Sequence, residues 1–143
     1  MTEEDLITAC ARVGVHVVFV PFPLAGAYYH DTGLIVIDSR LSETSQRATL
    51  AHEYVHALHG HDGPQEPHIE RCVDRQAARL LISPAEYALA EYIHGTNTAG
   101  IAEDLGVPAW VVDAYRQWLS EVQNTPMRSA SAPHKGAPTA HKP

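Results

Sequence analysis

The chain has 143 residues, 45% of them hydrophobic, two cysteines and a net charge of −7. That length supports one domain with a single core, and its longest apolar run, residues 13–24, is broken by Gly14, His16, Pro21 and Pro23, which excludes a membrane span. Residues 124–143 hold Arg128, Lys135 and Lys142 and no acid, a net of +3 that leaves −10 on the rest; so acidic a body argues against duplex DNA as a direct target.

Residues 2–13 read as a helix. Thr2 is the cap, with Asp5 three residues on, and Leu6, Ala9, Cys10 and Val13 form the buried stripe. The start is acidic where a secretory leader would be basic, so no signal peptide is expected. Cys10 and Cys72 are far apart and lack the C-x-x-C spacing, which fits free thiols in a reducing, cytoplasmic setting. Residues 15–20 are rich in β-branched side chains and read as a strand ended by Pro21 and Pro23. Residues 27–30 and 34–38, joined by Asp31-Thr32-Gly33, read as a hairpin. Three strands thus precede the first long helix, and the expected sheet is small and antiparallel in type. Tyr28, Tyr29 and His30 are candidates for stabilising an oxyanion, against the plainer reading of strand packing.

Residues 42–59 contain no Pro or Gly and carry an apolar stripe through Ala48, Ala51, Val55 and Leu58. Ser42 is the N-cap, and Gly60 closes the end. Within this helix lies His52-Glu53-Tyr54-Val55-His56, the pattern H-E-x-x-H. Positions four apart share one helix face, so His52 and His56 can present two imidazoles to one metal ion. Glu53 stands where it can take a proton from a water on that ion. Zinc chemistry needs this set: neutral nitrogen ligands, an open coordination position and a carboxylate base.

A catalytic zinc commonly takes a third protein ligand. Residues 66–82 read as a second helix, and Glu70, Asp74, Ala77 and Leu81 share one face of it. Glu70 is the assigned third ligand. Asp74, one turn on, is placed to accept the second ring N–H of a ligand histidine. The spacing is similar to that of thermolysin-like zincins. Asp62, six residues after His56, is a rival third ligand, and His59, His61 and His68 are further donors on a loop that reads as solvent-exposed.

Residues 84–93, 96–105 and 108–120 read as three more helices, the last two joined by Gly106-Val107 in the rhythm of a helix-turn-helix. The would-be recognition helix holds Trp110, Val111, Val112, Tyr115, Trp118 and Leu119 and is nearly uncharged, which suits packing or protein contact better than a major groove. Residues 1–122 are therefore read as the domain. Residues 123–143, rich in Pro, Ala and Ser, have a composition that cannot build a core and are expected to be disordered, with His134 and His141 incidental.

Three stretches carry a family resemblance. They are the run from Thr49 to His59 around H-E-x-x-H, the run from Glu70 to Pro84, and the strand ending Leu34-Ile35-Val36-Ile37-Asp38. In these the chain resembles the ImmA/IrrE-type zinc metallopeptidases. It departs from their usual pattern at Asp74, where an Asn is common, and at Gln76, where a Phe is common. The resemblance implies a zincin-like α+β fold, a small sheet on a helical bundle, with one zinc per chain. It also implies a cytoplasmic endopeptidase that cleaves a helix-turn-helix repressor. By analogy with zincins, the strand 34–38 would be the sheet edge that receives the substrate backbone. A second reading with the same ligands is an anti-repressor that binds zinc and its partner without cutting it.

Overall fold

The structure is a computed structural model and describes residues 1–125; the 126–143 part of the tail, His134 and His141 included, lies outside the described residues. Helix α1 (Glu3–Arg12) is closed at its start by a reciprocal cap: Asp5 N–H donates to Thr2 Oγ1 at 3.1 Å, and Thr2 N–H donates to the Asp5 carboxylate at 2.9 Å. Leu6 and Cys10 point from it into the core, and burial pushes the Cys10 thiol up to about 11. Three strands follow, β1 (His16–Val20), β2 (Gly26–Tyr29) and β3 (Leu34–Asp38).

The sheet order is β1-β3-β2. β2 and β3 form the expected hairpin, but β1 runs parallel to β3, from His16 opposite Leu34 to Val20 opposite Asp38. The sheet is therefore mixed, which corrects the antiparallel expectation. The cause is the apolar content of β3. Ile35, Val36 and Ile37 are all buried, so side chains pointing to both faces need cover, and such a strand belongs inside a sheet, not at its margin. Pro21 and Pro23 end β1 and lead the chain across to the far side of β3. Asp38 anchors that crossover: its carboxylate accepts from Phe22 N–H at 3.3 Å, and its own N–H donates to Ala25 O at 2.9 Å. The strand 34–38 is thus central, and the expectation of it as a substrate edge is overturned. The edge strand that packs on the next helix is β2.

That helix, α2 (Glu43–His59), is capped by Ser42 Oγ, which accepts from Ser45 N–H at 3.2 Å. It touches α1, β2, β3 and the following α3 (Pro67–Leu81). β2 lies so close to it that a Cβ on Gly26 would meet Thr49 Cγ2 at 2.7 Å and Val36 O at 3.1 Å. Gly26→Ala is therefore expected to push β2 away from α2 and to cost about 1–3 kcal/mol by overpacking. Denaturant unfolding of the variant checks this, and Thr49→Ser, which deletes the nearest atom, should recover part of the loss.

Helices α4 (Pro84–His94), α5 (Thr98–Leu105) and α6 (Ala109–Asn124) complete the bundle. α5 starts at Thr98 because Asn97 is its cap, accepting from Gly100 N–H at 3.2 Å. α6 packs on α3 and α5 and buries Val111, Val112, Ala114 and Tyr115. The apolar residues that give this pair the rhythm of a DNA reader are thus spent on the core. Among the described residues no helix is long and apolar enough to cross a membrane.

Candidate metal centre

The site is built from one face of α2 and the first turn of α3. His52 and His56 stand one helical turn apart, His56 buried and His52 partly so. Pro67 opens α3, and Glu70 follows on its first turn. Three atoms converge. His56 Nε2 lies 3.2 Å from His52 Nε2 and 3.0 Å from Glu70 Oε1, and His52 Nε2 lies 3.2 Å from the same oxygen. The other Glu70 oxygen accepts from Gln65 N–H at 3.2 Å, which fixes the carboxylate plane.

The outer nitrogens are committed elsewhere. His52 Nδ1 meets Asp74 Oδ1 at 2.8 Å, and only a protonated Nδ1 can donate to a carboxylate. His56 Nδ1 meets His61 Nδ1 at 2.9 Å. The Asp74 contact leaves the neutral His52 ring with an unprotonated Nε2 toward Glu70. With His56 in the same tautomer, three electron-rich atoms would face one point, a set suited to a cation. The size agrees: ligands about 2.05 Å from a tetrahedral zinc stand roughly 3.3 Å apart, close to the sides of this triangle, and all three residues line the cleft. Among the described residues His52, His56 and Glu70 are the one group placed to hold a metal ion. Asp62, His59, His61 and His68 are not part of it. Asp62 is exposed on the cleft rim, and His68 is an exposed partner of Glu66.

Glu53 is buried beside the triangle and lines the same cleft. Burial pushes its carboxyl up to about 6; the His52 charge opposes this, and the nearby Glu70 adds to it. Burial lowers His52 too, but the Asp74 hydrogen bond and the charges of Glu53, Asp74 and Glu70 outweigh it and leave His52 raised. His56 is lowered by burial and then by the charge of His52. The edge of the His52 ring meets Trp110 of α6 at 6.2 Å and 89°, so the C-terminal helix also braces the site.

The cleft has a volume of about 560 Å³. The β2–β3 hairpin forms one wall, with Tyr28, Tyr29, His30 and Asp31, and the ligand face with residues 61–64 forms the other. The three candidate oxyanion stabilisers all line it, and Tyr28 OH lies 3.2 Å from His30 Nδ1. Of the loop histidines expected in solvent, His59 and His68 are exposed, while His61 is half-buried against His56. The signal was present: Gly60 closes the helix and turns residue 61 back toward residue 56. A family model described as IrrE N-terminal-like domain, Peptidase_M78, matches residues 10–115. No curated protein matches the chain.

Proposed function

The chain belongs to the IrrE N-terminal-like peptidase family, and from that premise we propose that it is a zinc-dependent endopeptidase that cleaves a helix-turn-helix transcriptional repressor in the cytoplasm. The observation that carries this reading is the convergence of His52, His56 and Glu70, with buried Glu53 at their side, on the floor of an open cleft. His52, His56 and Glu70 would hold the ion. A zinc ion there would supply Lewis acidity, which makes water a far stronger acid and polarises a peptide carbonyl.

The remaining work falls to the protein. Glu53 accepts a proton on the way in and returns it to the leaving amine, and a carboxyl near pH 6 is well matched to both transfers. Asp74 holds the His52 ring by its Nδ1–H. The free edge of β2 receives the substrate as an added strand, with Tyr28 and His30 beside the bond to be cut. The charge of the cleft fits the substrate class. Beyond Glu53 and Glu70, whose charge a zinc ion would offset, Asp31 and Asp62 line it and no Lys or Arg does, so it favours a cationic segment, as a DNA-binding protein would offer. The same acidity and the burial of the α6 apolar face support a protein rather than a DNA target.

The test is to mix zinc-loaded and metal-free protein with helix-turn-helix repressors of its own organism and to weigh the products by mass spectrometry. Repressor fragments with the zinc-loaded protein alone are expected. The whole set of repressors left intact by protein carrying one zinc per chain would overturn the reading.

A further inference from the structure

The turn that ends α2 also sets the position of a side chain. Gly60 adopts a left-handed backbone, φ 64°, and its N–H bonds back to Ala57 O, while His61 N–H bonds to His56 O at 3.1 Å. This pair of bonds folds the chain over the last turn and brings residue 61 against residue 56. The side chains that meet at such a closure are frequently apolar. Here both are histidine, with Nδ1 atoms 2.9 Å apart.

Two bare nitrogen lone pairs at that distance repel, so one nitrogen carries a proton. His56 Nε2 is the atom that joins the triangle with His52 and Glu70, and it must stay bare to bind a cation. With an ion held there the proton would sit on His56 Nδ1, and His61 Nδ1 would accept it. The acceptor ring is itself held. It stacks on His59 at 5.2 Å and 17°, and His59 Nε2 meets Gln76 Oε1 of α3 at 2.8 Å. Gln76 thus ties the far end of this chain of contacts to the helix that carries Glu70.

Resting on the metallopeptidase reading above, we propose that His61 is a positioning residue for His56, matching on that side what Asp74 does for His52. Its contact selects the His56 tautomer and fixes the rotation of the ring, so that Nε2 points into the triangle before any ion arrives.

Zinc affinity by chelator competition tests this on the full chain, in the wild type, His61→Leu and His61→Asn. Asn sets an acceptor oxygen close to where Nδ1 stands; Leu fills the space without one. His61→Leu is expected to bind zinc roughly 10- to 100-fold more weakly, the usual cost of losing such a partner. His61→Asn should stay within about threefold of wild type, the scale of one altered hydrogen bond. Both should unfold in the metal-free state at the wild-type temperature. Wild-type affinity in His61→Leu, or an equal loss in His61→Asn, would overturn the proposal. Should His61→Leu fail to fold, His61→Phe keeps a ring against His59 without an acceptor and carries the same comparison. A wild-type chain that takes up no zinc would overturn the metal site and this role together, whereas a zinc-binding wild type with an unaffected Leu variant removes the positioning role alone.

Discussion

Glu53→Gln is expected to keep its metal, lose cleavage, and make the metal-free protein more stable at pH 7. Gln keeps the size of the side chain and removes the charge. The loss of activity follows from removing the base, which is worth about 10²–10⁴ in rate. The gain in stability follows from burial. The Glu53 carboxyl moves from 4.5 to about 6 on folding, and at 1.36 kcal/mol for each tenfold change in proton affinity that penalises the ionised folded state by roughly 2 kcal/mol. The sign is that of an acid with a raised folded pKa: the folded chain holds its proton longer than the unfolded one, so stability falls as pH rises from 4.5 to about 6. The advantage of Gln should therefore be absent below pH 4.5, grow across that window and stay constant above it. Denaturant titrations of both metal-free proteins across that range would show it, and parallel curves at every pH would mean that Glu53 is better solvated than its burial implies. The variant also separates the two functional readings. An anti-repressor that acts by binding alone should still release its partner from DNA when Glu53→Gln has removed the acid, and a peptidase should not.

Glu70→Ala is expected to cost more in zinc affinity than Asp74→Ala. Glu70 Oε1 closes the triangle at 3.0 Å and 3.2 Å from the two imidazole nitrogens, so its loss leaves two ligands and a larger opening to water. Asp74 touches only the outer nitrogen of His52. Loss of that support costs about 10- to 100-fold, and loss of the ligand should exceed roughly a hundredfold on the same scale. Chelator competition on both variants, beside His56→Ala, orders them. Wild-type affinity in Glu70→Ala with affinity lost in His56→Ala would shift the third ligand to Asp62 or to the histidines of the 59–68 loop.

The helices were legible because each is written locally. Periodic apolar residues mark their faces, and Thr2, Ser42, Gly60 and Gly106 mark their ends. The convergence of the candidate ligands was legible for the same reason: His52 and His56 are fixed by helical spacing, and Glu70 with Asp74 by a second helix. The sheet was less so. A hairpin between β2 and β3 is a short-range event, but the parallel pairing of β1 with β3 is not, and no turn records it. The unbroken run Leu34-Ile35-Val36-Ile37 was the available sign of a central strand. Counting it as an edge followed from analogy rather than from its own composition. The contact of His61 with His56 is a different case. A histidine after a glycine looks solvated until the bonds across the helix end are drawn.

All three ligand atoms come from one pair of consecutive helices, with His56 and Glu70 only 14 positions apart. The wall that faces a substrate comes from an earlier stretch of chain, folded against that pair. Closing so short a loop costs little chain entropy, while docking the sheet requires contacts between distant segments. The order of assembly should follow that difference. On the proposed function, ion capture would belong to an early, local step of folding, and competence to grip a peptide would arrive later, when the sheet settles on α2. A nascent or partly unfolded chain could thus carry its metal yet leave neighbouring proteins uncut, which would confine proteolysis to the finished molecule.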